Sequence, residues 1–228
     1  MGIELGINAS FKKTLVCIYS IMFCSSIFAQ NDQWLGSWNN LGVNYKLTEK
    51  LTIGSEAQLR SRFFYDNFFY YEIRGVVKYS FNNWFAISSG LSNHNIYKDS
   101  GDFIKPATLR EIRLFEDIFF TKSISRFKIE SKNRFEQRFT NKGFKHRIRP
   151  RVQILVSLNN RNLTSRTVFL SFSDEVFISD KFEKIYNSIG LGYRFDNIII
   201  SSAVVDEYNF ITKIDNKYLL IGLILNLN

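Results

Sequence analysis

From Arg126 to Leu158 the chain changes character at every second residue. Arg126, Lys128, Glu130, Lys132, Arg134, Glu136 and Arg138 alternate with Phe127, Ile129, Ser131, Asn133, Phe135, Gln137 and Phe139. After a short break, Arg147, Arg149, Arg151 and Gln153 alternate with Ile148, Val152, Ile154 and Val156. Successive side chains of a β-strand point to opposite faces, so a period of two predicts strands with one ionic and one largely apolar face. At helical spacing the same charges would spread around the whole cylinder and leave no apolar stripe. In a soluble sandwich the apolar face would form the core. In a membrane barrel it would meet lipid and the charges would line the interior.

The start of the chain bears on that choice. Lys12 and Lys13 precede an apolar run from Leu15 to Phe28 that ends at Ala29-Gln30. A basic segment, a short apolar segment and a small residue before the cut predict a secretory signal peptide over 1–29. The run is shorter than the roughly 20 apolar residues of a spanning helix. Both cysteines, Cys17 and Cys24, fall inside it. The mature chain would then hold no disulfide and no cysteine-ligated metal. With only His94 and His146 as histidines, no zinc site is expected, and no cofactor is called for.

The rest reads as one domain, 30–228, of strands separated by turns and loops. Eleven strand-like segments can be picked out, each about 9–13 residues, long enough to cross a bilayer when tilted. Tight turns such as Ser80–Asn83 alternate in the sequence, with few exceptions, with longer links such as Tyr97–Pro106 and Phe63–Phe68. Short turns on one side and longer loops on the other are the pattern of an outer-membrane barrel. Single-chain bacterial barrels have even strand counts. The stretch at Trp34 is therefore the one expected to be split or left out of the wall. The expected fold is all-β, a single antiparallel transmembrane barrel of about 10–12 strands with a charged lumen.

The chain also resembles a family of exported β-barrels catalogued as Domain of Unknown Function 2490. The residues that carry the resemblance are Trp34, Glu56-Ala57-Gln58-Leu59-Arg60, Glu111-Ile112-Arg113, and Asn133-Arg134-Phe135-Glu136-Gln137-Arg138-Phe139 followed by Arg147-Ile148-Arg149. Asp174-Glu175-Val176-Phe177 and Gly190-Leu191-Gly192-Tyr193 complete it. The resemblance implies an outer-membrane location and no particular activity.

The strongest functional candidate is the ladder of charges assigned to the inner face. It comprises Glu56, Arg60, Glu72, Arg74, Glu111, Arg113, Glu130, Arg134, Glu136, Arg138, Arg147, Arg149, Arg151 and Glu175. Opposite charges on neighbouring strands fill a narrow lumen by neutralising one another. The same ladder in a wetter lumen would make a narrow conduit with an anion preference, because arginine predominates in its two central strands. An enzymatic alternative rests on Ser92 and His94, two residues apart on one face at a strand end beside the Tyr97–Pro106 loop. A lipid hydrolase or acyltransferase would use such a pair near a barrel rim. Glu130 and Glu136, roughly 20 Å apart along a strand, are too distant to serve as a paired acid and base.

Net charge is +9. A basic balance can serve nucleic acid, but here the cations alternate with acids along strands and an exported chain has little access to it. The expected partners are outer-membrane lipid, the barrel-assembly machinery and, under the conduit reading, a small anionic solute.

Overall fold

The computed structural model describes residues 35–98, 103–104 and 106–227; the expected signal peptide and Trp34 lie outside them. Eleven strands form one closed barrel: β1 (Leu35–Lys46), β2 (Leu51–Phe63), β3 (Asp66–Ser80), β4 (Phe85–Ile96), β5 (Leu109–Ile124), β6 (Phe127–Thr140), β7 (Gly143–Ser157), β8 (Thr167–Ile178), β9 (Phe182–Arg194), β10 (Ile198–Asn209) and β11 (Asp215–Leu227). Consecutive strands pair antiparallel. β1 and β11 close the ring in parallel, in register from Leu35↔Lys217 to Tyr45↔Leu227. In a ring of odd count the first and last strands run the same way, so this seam has no antiparallel solution. The doubt over the first strand is thereby overturned: β1 is a full wall strand, paired along its length with both β11 and β2.

The alternation of turn lengths is a second correction. Odd strands begin at one mouth of the barrel, called here the first, where the connections are 64–65, 97–108, 141–142, 179–181 and 210–214. At the second mouth they are 47–50, 81–84, 125–126, 158–166 and 195–197. Each mouth carries one long connection. The aromatic loop expected at Phe63–Phe68 is instead a tight hairpin tip, with Tyr65 and Asn67 in the left-handed region at φ 54° and 57°. Its asymmetry is absorbed by a bulge between Arg60 and Ser61. A bulge adds a residue to one strand and re-aims its neighbours. Phe69, which the parity of β3 would put on the outer face, accordingly packs against the interior cluster of Trp38, Phe177, Tyr186, Val205 and Tyr218.

Polarity is inverted relative to a soluble sandwich. Outward residues such as Leu91, Ile73 and Ile189 are 59%, 57% and 56% exposed, whereas Glu136, Glu72 and Glu111 are 0%, 2% and 2% exposed. Aromatic residues ring both mouths. Tyr79 packs on Phe81 and Trp84 on Phe120 at the second; Tyr71 and Tyr97 pack on Phe103, and Phe139 on Phe144, at the first. An apolar outer band between aromatic girdles and a polar interior make this a barrel of outer-membrane type.

Inside, glycine makes room for aromatic rings. A Cβ at Gly90 would lie 2.5 Å from the ring of Phe115, and one at Gly192 would lie 2.3 Å from the ring of Phe169. Eight-stranded barrels are filled by side chains and those of 16–18 strands leave a channel. Eleven strands fall between, and a cavity of about 970 Å³ remains inside.

Candidate functional site

The interior is organised by the register of β5, β6 and β7. Asp117 stands opposite Arg134, Glu136 opposite Arg147, Arg134 opposite Arg149 and Lys132 opposite Arg151. Glu136 is fully buried between two arginines. Arg147 donates from Nε at 2.8 Å and lies within 2.6 Å through Nη2, and Arg149 donates from Nη1 at 2.6 Å. Arg134 grips Asp117 through two parallel hydrogen bonds of 2.7 and 2.9 Å, and Ser88 Oγ adds a third at 3.0 Å. Arg138 holds Glu111 the same way at 2.7 and 2.9 Å, with Arg113 Nε on the same carboxylate. Forked arginine–carboxylate pairs are the geometrically specific kind of ion pair.

The network extends beyond this core. Glu175 of β8 accepts from Arg149 at 3.2 Å. That contact crosses a place where Arg149 and Pro150 have no register partners on β8, Pro150 lacking the N–H a ladder needs. Glu72 of β3 accepts the Tyr70 hydroxyl at 2.5 Å and pairs with Arg74 at 3.2 Å and Arg113 at 3.9 Å. Glu56, Glu130 and Arg151 keep more solvent, with side chains 28%, 18% and 26% exposed, although Arg151 still reaches Glu130 at 3.0 Å.

Arg60 belongs to a second cluster. Its guanidinium lies 3.3 Å from the Trp38 ring centroid and 4.4 Å from that of Tyr70. It donates to the Tyr186 hydroxyl at 3.0 Å and pairs with Glu207 at 3.9 Å, so a β2 side chain spans part of the barrel to β9 and β10. Lys184 donates to the same hydroxyl at 2.5 Å and to Glu207 at 3.3 Å.

Asp117, Lys132, Lys184, Glu183 and Glu207 were absent from the expected ladder, as were Trp38, Tyr70 and Tyr186. Parity within each strand would have placed all of them but Glu183 on the inner face; Glu183 is the extra residue where the β8–β9 register shifts. Long-range contacts such as Arg60 to Tyr186 have no local signal.

Ser92 and His94 are not at an exposed rim. They are buried, at 3% and 5% exposure. Ser92 lies between Arg74 and Arg113 in the sheet, and His94 between Glu72 and Glu111. His94 packs edge-on against Tyr70 with centroids 4.6 Å apart, and its Nδ1 is 3.9 Å from Glu72 Oε2. Neither Ser92 Oγ nor His94 Nδ1 makes a hydrogen bond. Among the described residues, no three His, Cys, Asp or Glu side chains are grouped to hold a metal ion.

Large side chains crowd the half of the interior near the first mouth: Trp38, Arg60, Tyr70, Arg147, Tyr186 and Tyr218. The half near the second mouth is walled on β8 to β10 by Ser171, Ser173, Ser188, Ser201 and Ala203. Large side chains thus gather toward the first mouth and small ones toward the second, the half called here the vestibule, and the cavity is lined at both ends, by Ile96, Leu109 and Ile211 as by Ser80 and Asn226.

No curated protein matches the chain. The barrel is similar to LpxR from Salmonella typhimurium, with a TM-score of 0.51 and 8% identity over 89% of this chain and 92% of that one. That likeness is one of fold. The model of an uncharacterised family matches residues 35–215, and the chain belongs to that family, described as Protein of unknown function (DUF2490).

Proposed function

We propose that the protein is a non-enzymatic outer-membrane barrel, exported with loss of residues 1–29, in which the interior ion-pair network is a structural plug. The observation that carries this reading is Glu136, with no exposed surface and hydrogen bonds from two arginines on the adjacent strand. A water-filled conduit has no need of a fully buried carboxylate, whereas a plug does. Breaking a buried ion pair from one side strands the partner charge and costs about 3–5 kcal/mol. Glu136→Gln is expected to lower the unfolding temperature in detergent, while both proteins stay non-conducting in planar bilayers. A wild-type protein that conducts steadily with anion preference, and a variant that unfolds unchanged, would replace the plug with the narrow conduit.

A second reading, a membrane-embedded lipid hydrolase or acyltransferase, draws on Ser92 and His94. Both carry a buried polar atom without a partner, and the Glu72 carboxylate lies 3.9 Å from His94 Nδ1. Its test is fatty-acyl release or transfer on extracted outer-membrane lipids. Activity lost in His94→Ala and kept in Glu136→Gln would favour it.

A further inference from the structure

The charges near the vestibule do not balance as those of the plug do. Lys132 and Arg151 stand directly opposite one another on β6 and β7, and like charges so placed destabilise a sheet. The opposed pair Arg134 and Arg149 is offset by Asp117, Glu136 and Glu175, all hydrogen-bonded. Lys132 and Arg151 have one hydrogen-bonded carboxylate between them, Glu130 on Arg151. Lys132 is 6% exposed, and its ion-pair partner Glu175 Oε1 is 3.6 Å away and already engaged by Arg149. Arg151 spends Nη2 on Glu130 and leaves Nε buried without an acceptor. Lys78 of β3 lines the same cavity with its Nζ 4.2 Å from the Phe119 ring centroid. Among the described residues it has no ion pair. Of its carboxylate neighbours, Glu130 is held by Arg151 and Asp117 by Arg134 and Ser88.

We infer that Lys78, Lys132 and Arg151 form a binding site for a phosphate-type oxyanion in the vestibule. Such an anion would accept from two ammonium groups and the free Arg151 Nε, relieving the repulsion that the protein's own carboxylates leave in place. Ser171 lines the same cavity, as does Ser173, which shares a 2.8 Å hydroxyl hydrogen bond with Ser188. The inference goes beyond the plug reading, since it concerns the open half of the interior, and its readout is binding, not conductance.

The test is the melting temperature of the barrel in a non-ionic detergent, with inorganic phosphate replacing chloride at constant ionic strength. A ligand that binds only the folded state raises it saturably. The expected result is such a rise, with the half-maximal phosphate concentration increased about tenfold in Lys132→Gln and in Lys78→Gln and unchanged in Lys50→Gln. Without phosphate, Lys132→Gln is expected to melt no lower than wild type, because it removes one of two opposed cations. Should Lys132→Gln fail to fold, Lys78→Gln alone decides, its side chain having no ion pair to lose. A response to micelles containing phosphatidylglycerol but not to free phosphate would assign the same cations to a lipid head group. No response to either, or a phosphate response undiminished in both lysine variants, overturns the site.

Discussion

Arg60 shows how a single residue links the interior. Its guanidinium is stacked on Trp38 and near Tyr70, donates to Tyr186 and pairs with Glu207, so β1, β2, β3, β9 and β10 meet on one planar cation. Lysine keeps the charge but not the plane, and it cannot stack and donate sideways at once. A desolvated cation–π contact contributes about 2 kcal/mol or more. Arg60→Lys is therefore expected to lower the unfolding temperature and to weaken the near-ultraviolet dichroism of Trp38, while leaving strand content unchanged. A variant with wild-type melting and an unchanged aromatic spectrum would show that the stack contributes nothing. Which face each of these residues takes follows from parity, as it does for Glu136 and Arg149. Which partner it meets does not, because Arg60 and Tyr186 are joined only by the closure of the ring. Phe69 marks the other limit: a bulge between Arg60 and Ser61 breaks the period of two, and nothing in the alternation of β3 announces it.

At the scale of elements, the seam between β1 and β11 is the least ordinary part of the wall. A period-two pattern specifies faces and is silent on strand direction, so eleven segments were legible while their parallel closure was not. Parallel pairing is slightly less stable per residue than antiparallel. Here the seam is backed from inside by Trp38 against Tyr218, with ring centroids 6.2 Å apart, and near the second mouth by Asn44 donating to Asn226 at 3.1 Å. Asn39 and Ile221 are register partners across it, and both line an outer-face groove. Cα atoms of paired strands lie within the span a disulfide bridges. The double variant Asn39→Cys, Ile221→Cys is thus expected to oxidise to an internal disulfide, seen as a reducible shift of the unfolded protein on a gel. Cys17 and Cys24 lie within the segment 1–29, so the reading is clean for a processed chain. Absence of the bond under oxidation, with efficient bonding when Asn39→Cys is combined with a site displaced along β11, would mean that the seam has another register.

For the whole molecule, the odd strand count puts the start of β1 and the end of β11 at opposite mouths. Loop length alone does not orient such a barrel, since each mouth has one long connection, 97–108 at the first and 158–166 at the second. The interior adds an asymmetry: the large side chains, and with them the proposed plug, gather toward the first mouth, and the small ones line the vestibule half toward the second. A barrel that must keep solutes out while admitting a soluble anion from within the envelope would turn its plug outward. That orientation puts Ile104, 88% exposed, and Lys142 on the cell exterior, with Lys50 and Asn82 on the periplasmic side. The expected outcome is that a membrane-impermeant thiol reagent labels Ile104→Cys and Lys142→Cys on intact cells, and labels Lys50→Cys and Asn82→Cys only after the outer membrane is permeabilised. The inverse pattern would keep the barrel and reverse its orientation, placing the phosphate-type site on the exterior. Labelling that divides Ile104→Cys from Lys142→Cys would contradict the alternation of strand directions between β4 and β7, and with it the eleven-stranded ring.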